Sequence, residues 1–135
     1  MSDTPVSTKI DDLMNPDFGR QEALSEDDKT FIVEYNNVTE KLDEEEKLLS
    51  FKNVIRKSGR CGFAQGGTVD YLVNTDTGNR YRVTIRTRWR SGINAGQSDR
   101  VVVSQAGGRV GLGCTDSGYI PITYYSREVV GESKF

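Results

Sequence analysis

The chain has 135 residues, of which 35% are hydrophobic, 28% are charged and 14 are glycine. This length suits one domain, and scarce apolar residues combined with many glycines favour a β-rich domain with many turns and at least one solvated tail. No stretch approaches about 18 continuous apolar residues, so we expect no membrane span. The first 21 residues have neither a basic start nor an apolar stretch, which argues against a Sec signal peptide in the chain as given.

The net charge of −2 conceals an uneven distribution along the chain. Residues 1–50 contain 14 acidic and 5 basic side chains, a net of −9, whereas residues 51–135 contain 6 acidic and 13 basic side chains, a net of +7. Such asymmetry is typical of a charged tail or of a surface that binds polyanions. It also allows the acidic half to neutralise the basic half, because the two are tethered at high effective concentration.

The absence of histidine excludes several classes of active site. Ser-His-Asp catalysis, Cys-His catalysis and histidine metal sites all require that side chain, and two cysteines alone do not make a structural zinc site. Most of the carboxylates lie in residues 1–50, where a solvated face explains them better than an acid–base pair does. We therefore expect no enzyme activity, no metal site and no cofactor.

Residues 1–29 are polar and acidic, contain Pro5 and Pro16, and show no sustained periodicity. We expect them to form a flexible arm ahead of a single β-rich domain over residues 30–135. Phe31–Tyr35 is a compact apolar run, consistent with a short strand or with an anchor by which the arm docks.

Residues 40–57 show helical periodicity. Thr39 is a suitable N-cap, acidic side chains come early and basic ones late, and Gly59 is placed to end the helix. The apolar side chains fall largely on one side of such a helix: Leu42, Leu48, Leu49, Phe51, Val54 and Ile55. The pattern predicts one amphipathic helix over residues 40–57, with a first strand over Leu48–Ile55 as the alternative, because that stretch also alternates.

From Gly62 onward, short alternating runs and turn residues follow one another at a spacing of roughly ten residues. A turn rich in Asn, Asp and Gly separates residues 68–74 from residues 80–90, which predicts a hairpin. Residues 91–98 are rich in Gly, Asn and Ser and are predicted to form a surface loop. Further strands are expected over residues 100–104, 109–114 and 120–125, and around Val129 and Val130. The pattern as a whole predicts a small antiparallel β-sandwich, immunoglobulin-like in general architecture.

Cys61 and Cys114 flank most of this β region. If they form a disulfide, the bond closes a loop of about 54 residues, for which chain-entropy models give roughly 4 kcal/mol. A bridge is typical of a secreted or surface protein whose signal has been removed, whereas two separate buried thiols are ordinary in a cytoplasmic protein. The sequence leaves both alternatives open, and the compartment with them.

The clearest pattern in the chain is the alternation over residues 80–90. One face of the predicted strand carries the arginine row: Arg80, Arg82, Arg86, Arg88 and Arg90. The other face carries apolar side chains: Tyr81, Val83, Ile85 and Trp89. Arginines at i, i+2 spacing stand about 7 Å apart and repel one another, so we expect an anionic group to answer them. Arginines elsewhere would extend the row if their strands lie alongside: Arg60, Arg100, Arg109 or Arg127.

Three kinds of partner would satisfy the arginine row. A linear polyanion, nucleic acid included, suits regularly spaced guanidinium groups. An acidic protein segment, from a partner or from this chain's own first half, suits them equally. Pairing across strands with Asp70 or Glu128 would leave a face that is merely solvated.

We therefore predict a non-enzymatic binding or assembly module that uses the basic face of residues 80–90 to contact an acidic partner segment or a polyanion. The alternative is a structural subunit of a surface or particle assembly. In that case the acidic arm docks on a neighbouring copy, and the chain forms a homo-oligomer.

Overall fold

The computed structural model describes residues 18–61, 67–116 and 122–135, and it is mainly β, with 56% in strands. Within those ranges the elements follow in the order β1 (Gln21–Ala23), α1 (Glu26–Glu40), α2 (Glu44–Leu49), β2 (Asn53–Arg60), β3 (Thr68–Asn74), β4 (Tyr81–Ser91), β5 (Asn94–Ser104), β6 (Gly108–Cys114) and β7 (Thr123–Lys134). None of the helices in the described ranges has the length and apolar character needed to cross a membrane.

The strands form two antiparallel sheets. The four-stranded sheet has the order β1-β6-β3-β2, and the three-stranded sheet has the order β5-β4-β7. The core combines Leu72, Val110 and Leu112 of the first sheet with Tyr81, Val83, Ile85 and Val102 of the second. The prediction of a mainly β chain with antiparallel sheets is confirmed. The immunoglobulin-like part of it is not confirmed, because the strand order differs from the ABED and CFG sheets of a constant-type immunoglobulin domain.

The predicted hairpin between residues 68–74 and 80–90 is wrong, although both strands are present. β3 and β4 belong to different sheets, so the segment between them crosses from one sheet to the other. The side-chain amide of Asn74 fixes this crossing by donating to the carbonyl oxygens of Asn79 and Gln105, at 2.7 and 3.3 Å. Turn residues mark where the chain reverses, but they do not specify which sheet the next strand joins.

β4 instead forms a hairpin with β5, and the predicted surface loop over residues 91–98 is wrong. Ser91 pairs with Asn94 across a two-residue turn. Gly92 has a φ of 61°, the left-handed value that a type II′ turn requires at its first central position. Gly, Asn and Ser have low strand propensity, but the long β4 strand supplies a partner for each residue, and this tertiary context overrides propensity.

The predicted helix over residues 40–57 is also wrong. α1 ends at Glu40 and includes the run Phe31–Tyr35, for which the sequence predicts a strand or an anchor. Ser25 starts α1 through a capping box, because the Asp28 N–H donates to Ser25 Oγ and the Ser25 N–H donates to the Asp28 carboxylate, each at 3.1 Å. α2 contains six residues and is capped by Asp43.

β2 occupies the second half of that predicted helix. The alternative strand over Leu48–Ile55 is closer to the structure, displaced to Asn53–Arg60. Leu48 is 86% exposed, so the apolar stripe of the predicted helix is not buried as a packed helix would require. Gly59, which is predicted to end the helix, has a φ of 75° and lies at a bulge where the pairing of β2 with β3 shifts.

Cys61 and Cys114 form a disulfide, with their Cα atoms 5.6 Å apart. Cys61 follows β2 and Cys114 ends β6, so the bond ties together the two strands that flank β3. Of the two alternatives for these cysteines, the structure contains the bridge.

α1 packs against the four-stranded sheet through a buried carboxylate. Asp28 is 1% exposed and accepts a hydrogen bond from Arg56 at 2.6 Å, and Arg109 lies 3.4 Å from its second oxygen. Arg109 also contacts Glu22 of β1 at 3.1 Å. β1 and the start of α1 thus attach residues 21–29 to the sheet. The prediction of a flexible arm falls mostly on residues 1–17, which lie outside the described residues.

Candidate functional site

β4 lies at the centre of the three-stranded sheet and presents the arginine row on the outer face of that sheet. Tyr81, Val83 and Ile85 are buried in the core, and the residues between them point outward. Arg80 precedes the first residue of the strand. The alternation that the sequence predicts is therefore present in the structure.

Two acidic side chains on the neighbouring strands form ion pairs with the arginines in the middle of the row. Arg86 binds Asp99 of β5 with two parallel hydrogen bonds, at 3.0 and 3.2 Å. Arg88 donates to Glu128 of β7. The hydrogen bond between Arg86 and Asp99 raises the pKa of the guanidinium and lowers the pKa of the carboxyl. Cross-strand pairing, which the sequence leaves as one of three alternatives, thus accounts for these two arginines.

An aromatic ring occupies the start of the arginine row. The guanidinium carbons of Arg80 and Arg82 lie 4.3 and 3.9 Å from the centre of the Phe135 ring. Arg80 also donates to the carbonyl oxygen of Phe135 at 3.4 Å, and the Phe135 N–H donates to the carbonyl oxygen of Arg80 at 3.1 Å. These two arginines face the negative face of a π system.

Arg90 is the remaining member of the row, and among the described residues it has no ionic, hydrogen-bond or aromatic partner for its side chain. Its side chain is exposed. The residues directly opposite Arg90 are Ala95 of β5 and Tyr124 of β7, neither of which carries a charge. Tyr124 is 56% exposed. An arginine beside an exposed tyrosine is a combination that binding interfaces favour.

A cavity of about 540 Å³ opens at this end of the sheet, and we call it the Arg90 cavity. By register, its lining contains two cross-strand rows on the outer face, Tyr124-Arg90-Ala95 and Ser126-Arg88-Gln97, together with Trp89, Gly96 and Tyr125. The volume is typical of sites that bind small molecules or single side chains. Aromatic walls and guanidinium groups suit an occupant that is partly apolar and partly anionic.

Trp89 lies directly over Gly96, its cross-strand partner. A Cβ atom added to Gly96 would come within 2.8 Å of three atoms of the indole ring, which is closer than real side chains approach. The indole Nε1 is buried and has no hydrogen-bond partner in the described part of the chain. The placement of the tryptophan that borders the cavity therefore depends on the missing side chain of Gly96.

None of the four arginines that the sequence offers as conditional extensions of the row extends it. Arg127 points into the molecule, where it donates to Asp70 at 3.1 Å with its side chain fully buried. Asp70 is therefore engaged by Arg127 instead of by the arginine row. Arg109 and Arg60 belong to strands of the other sheet. Arg100 is opposite the inward-facing Ile85 in register and stacks on the Phe18 ring at 4.0 Å.

The described part of the acidic half binds arginines of the four-stranded sheet. Glu22 and Asp28 contact Arg109, and Asp28 also contacts Arg56. Within residues 18–50, no carboxylate contacts the arginine row. The hypothesis that residues 1–17 dock on the row falls outside the described residues.

Tyr124 is the site residue that sequence reasoning misses. β7 points Thr123, Tyr125 and Arg127 inward and alternates them with outward side chains that include Tyr124. Both sets contain a tyrosine and a charged residue, so polarity does not reveal which set is buried. The alternation itself could have identified Tyr124 as outward-facing, if residues up to Lys134 are interpreted as one long strand.

Comparison with protein-family models, with curated proteins and with solved structures finds no match for the chain. In the described ranges, no cluster of three or more cysteine or carboxylate side chains is arranged to hold a metal ion. Function is therefore inferred from the residues of the chain itself.

Proposed function

We propose that this chain is a non-enzymatic binding module that holds an acidic protein segment at the Arg90 end of the three-stranded sheet. The observation that carries the proposal is that Arg90 is exposed and has no partner among the described residues, whereas each of the other four arginines has one. A guanidinium group binds a carboxylate through paired, charge-assisted hydrogen bonds. Tyr124 and the Arg90 cavity offer an apolar surface beside that contact.

The middle of the row favours a short acidic segment over a long polyanion. A polyanion that follows the whole row has to pass the carboxylates of Asp99 and Glu128, which repel phosphate and sulfate groups. It also has to compete with those carboxylates for Arg86 and Arg88. A short segment needs only the end of the row, where none of the described lining residues is a carboxylate.

The lining of the Arg90 cavity supports a binding role rather than catalysis. Among the described residues that line it, Ser126 supplies the only aliphatic hydroxyl, and none of them carries an imidazole, carboxylate or amine that could activate this hydroxyl as a nucleophile. Both cysteines of the chain are used in the disulfide. Arginine and tyrosine side chains, by contrast, are suited to recognition.

Isothermal titration calorimetry with a blocked hexapeptide, EFEVTV, tests the proposal. Its two glutamates share one face when the peptide is extended. We expect the peptide to bind, with an affinity that falls as salt is added, and the neutral peptide QFQVTV to bind about tenfold more weakly, since charge-assisted hydrogen bonds are lost. Arg90→Ala should weaken binding of EFEVTV by about tenfold or more, since an arginine at the centre of a contact is often a dominant contributor.

Arg60→Ala is the matched control, because it removes the same charge from an exposed position on the other sheet. We expect this variant to bind EFEVTV within about twofold of the unaltered chain, since exposed charges at a distance are screened. Equal losses of EFEVTV affinity in Arg90→Ala and Arg60→Ala would show a general effect of charge and would contradict the assignment of the binding site to Arg90. Tighter binding of heparin or of a single-stranded oligonucleotide than of the peptide would contradict the acidic protein segment.

A further inference from the structure

Each end of the arginine row has an aromatic residue opposite it on the β7 side, but the two ends differ in what the ring contacts. Phe135, the residue after β7, lies opposite Arg80, and its ring contacts the guanidinium groups of Arg80 and Arg82 at 4.3 and 3.9 Å. Tyr124 lies opposite Arg90 at the other end. Among the described residues, no ring contacts Arg90 and no arginine contacts the ring of Tyr124. The row therefore carries a ring on its first two arginines and borders a cavity at its last.

Stacking of arginines on aromatic rings recurs across the described part of the chain. The guanidinium carbons of six arginines there lie within 5.1 Å of the centre of a ring: Arg56, Arg80, Arg82, Arg100, Arg109 and Arg127. A guanidinium group is planar and weakly hydrated, so its face stacks readily on a π system. Aromatic rings are therefore regular partners of arginine in this fold.

A ring on the face of a guanidinium leaves the edge of that group available to a carboxylate. Arg109 makes both contacts at once, because it lies 3.9 Å from the centre of the Tyr71 ring and donates to Glu22 at 3.1 Å. Arg56 likewise combines the Phe31 ring, at 4.6 Å, with a carboxylate at 2.6 Å. The N–H donors lie in the plane of the guanidinium and the ring stacks above that plane, so the two contacts do not compete. One arginine thus holds an acidic and an aromatic side chain together.

The Arg90 cavity has room for an aromatic side chain. Its volume is about 540 Å³, whereas a cavity of about 150 Å³ is enough to hold benzene. Tyr124, which is 56% exposed, forms part of its lining, and aromatic rings pack favourably against one another in offset or edge-to-face arrangements. Ala95, on the other side of Arg90, has a small side chain that does not fill the cavity.

We infer that the acidic partner segment inserts an aromatic side chain into the Arg90 cavity, with its ring on the face of the Arg90 guanidinium and a neighbouring glutamate or aspartate at the edge of the same group; this inference rests on the proposed function. The arrangement repeats at Arg90 what Tyr71 and Glu22 form at Arg109. The partner is therefore recognised by two adjacent residues, one acidic and one aromatic. The peptide EFEVTV carries its phenylalanine between two glutamates, so it presents this pair in whichever direction the segment runs.

Replacing the phenylalanine of EFEVTV by cyclohexylalanine tests the ring contact, with binding again measured by calorimetry. Cyclohexylalanine keeps the approximate size and the apolar surface of phenylalanine but has no π system. Because the attraction between a guanidinium and a ring depends on that π system, we expect the cyclohexylalanine peptide to bind about threefold more weakly than EFEVTV. The peptide ESEVTV has no large side chain for the cavity and should bind weaker than EFEVTV by about tenfold or more.

Titration of Arg90→Ala with the phenylalanine and cyclohexylalanine peptides tests whether the preference comes from Arg90. The preference for phenylalanine should disappear in this variant, since both changes remove the same contact. The matched control Arg60→Ala, altered on the other sheet, should keep the preference of about threefold. In proton spectra of the unaltered chain, the ring of EFEVTV should shift the Arg90 δ-methylene resonance upfield, and the cyclohexylalanine peptide should not.

Equal affinity for EFEVTV and its cyclohexylalanine form, with Arg90→Ala still weakening the binding of EFEVTV, would overturn the ring contact and leave the proposed function standing. A preference for phenylalanine that persists in Arg90→Ala would place the ring elsewhere and would also overturn it. No binding of EFEVTV would overturn the proposed function itself. If the unliganded chain is a dimer in solution and Tyr124→Ala makes it a monomer, the occupant of the cavity is a second copy, and the peptide occupant is overturned.

Discussion

Arg86 and Arg90 lie on the same face of one strand and differ in what surrounds them. The guanidinium of Arg86 fits the Asp99 carboxylate with two hydrogen bonds, so one edge of the guanidinium is already occupied. Arg90 has an alanine and a tyrosine opposite it, so its donors remain available to a partner. At the residue scale, we infer the position of the binding site from which arginine lacks a partner among the described residues. The number of arginines in the row does not identify it.

Trp89 and Gly96 provide a prediction at the same scale. Gly96→Ala places a Cβ within 2.8 Å of the indole ring, so the ring or the hairpin has to move. We expect the free energy of unfolding to fall by about 1–3 kcal/mol, as for other overpacked sites. We also expect the fluorescence of Trp89, the single tryptophan of the chain, to shift.

Gly131→Ala is the matched control for that substitution, because its Cβ would lie 3.9 Å from Thr84 Oγ1, an ordinary contact. We expect it to change the free energy of unfolding by less than about 1 kcal/mol. Urea unfolding of the three proteins, followed by fluorescence, makes the comparison. Equal stability of Gly96→Ala and the unaltered chain, with an unchanged spectrum, would contradict the placement of the tryptophan.

At the scale of elements, the ionised form of Asp28 attaches α1 to the four-stranded sheet. Burial alone raises the pKa of this carboxyl, but hydrogen bonds from the Ser25 backbone and hydroxyl, the charge of Arg109 and a hydrogen bond from Arg56 outweigh it. The pKa of Asp28 is therefore lowered from its ordinary 3.8. The negative charge of Asp28, which Arg56 and Arg109 of the sheet stabilise, therefore holds α1 against the sheet.

Asp28→Asn should lower the free energy of unfolding by about 2–4 kcal/mol at neutral pH, because it leaves two arginines without their carboxylate. A lowered folded-state pKa gives stability that is present above the unfolded-state pKa of about 3.9 and is lost as the pH falls through the folded value. The difference between the variant and the unaltered chain should therefore narrow as the pH falls below about 4. Urea unfolding across a pH series measures this difference.

Asp27→Asn is the control for Asp28→Asn, since Asp27 is exposed in the same helical turn. Its effect on the free energy of unfolding should stay within about 0.5 kcal/mol. A difference between Asp28→Asn and the unaltered chain that stays constant as the pH is lowered would contradict the assigned role of the charge.

The sequence predicts elements well where one periodicity dominates and poorly where two compete. Strand β4 alternates without ambiguity, and it is found with its arginines outward. Residues 40–57 fit both a helix and a strand, and the choice depends on a non-local partner, because β2 pairs with β3 through residues 68–74. The Ser25–Asp28 capping box was available as a local signal for α1, but the Asp at its fourth position departs from the common Glu or Gln.

The candidate site is only partly predictable for a related reason. The arginine row follows from local alternation, but which arginine lacks a partner depends on the register of β5 and β7. Asp99, Glu128 and Tyr124 are distant in sequence from β4, and nothing local fixes their positions opposite it. The sequence therefore supplies the residues of the candidate site, and the pairing of the strands determines which of them lie next to one another.

At the scale of the whole molecule, polar contacts join the two sheets. Arg127 of β7 donates to Asp70 of β3 at 3.1 Å and to the carbonyl oxygen of Cys114 at 2.8 Å. Glu132 of β7 accepts hydrogen bonds from the backbone N–H groups of Lys52 and Asn53, at the start of β2. These contacts fix the three-stranded sheet against the other sheet, and with it the position of β4.

Arg127→Met should lower the free energy of unfolding by about 3–5 kcal/mol, because it leaves the buried Asp70 carboxylate without its guanidinium partner. Adding Asp70→Asn should recover part of this loss, since it removes a buried carboxylate whose remaining partner is the exposed Lys57, 3.1 Å away. Urea unfolding at neutral pH measures both. A double variant that is less stable than Arg127→Met would contradict the account of the ion pair.

Mapping of backbone amide chemical shifts during titration with EFEVTV tests the central claim, that the Arg90 end of the row is the binding site. We expect the largest shifts at residues 89–91, 94–99 and 124–126, and small shifts at Arg80, Arg82 and the four-stranded sheet. Shifts centred on Arg80 and Arg82, or on the face that holds Arg56 and Arg109, would contradict it.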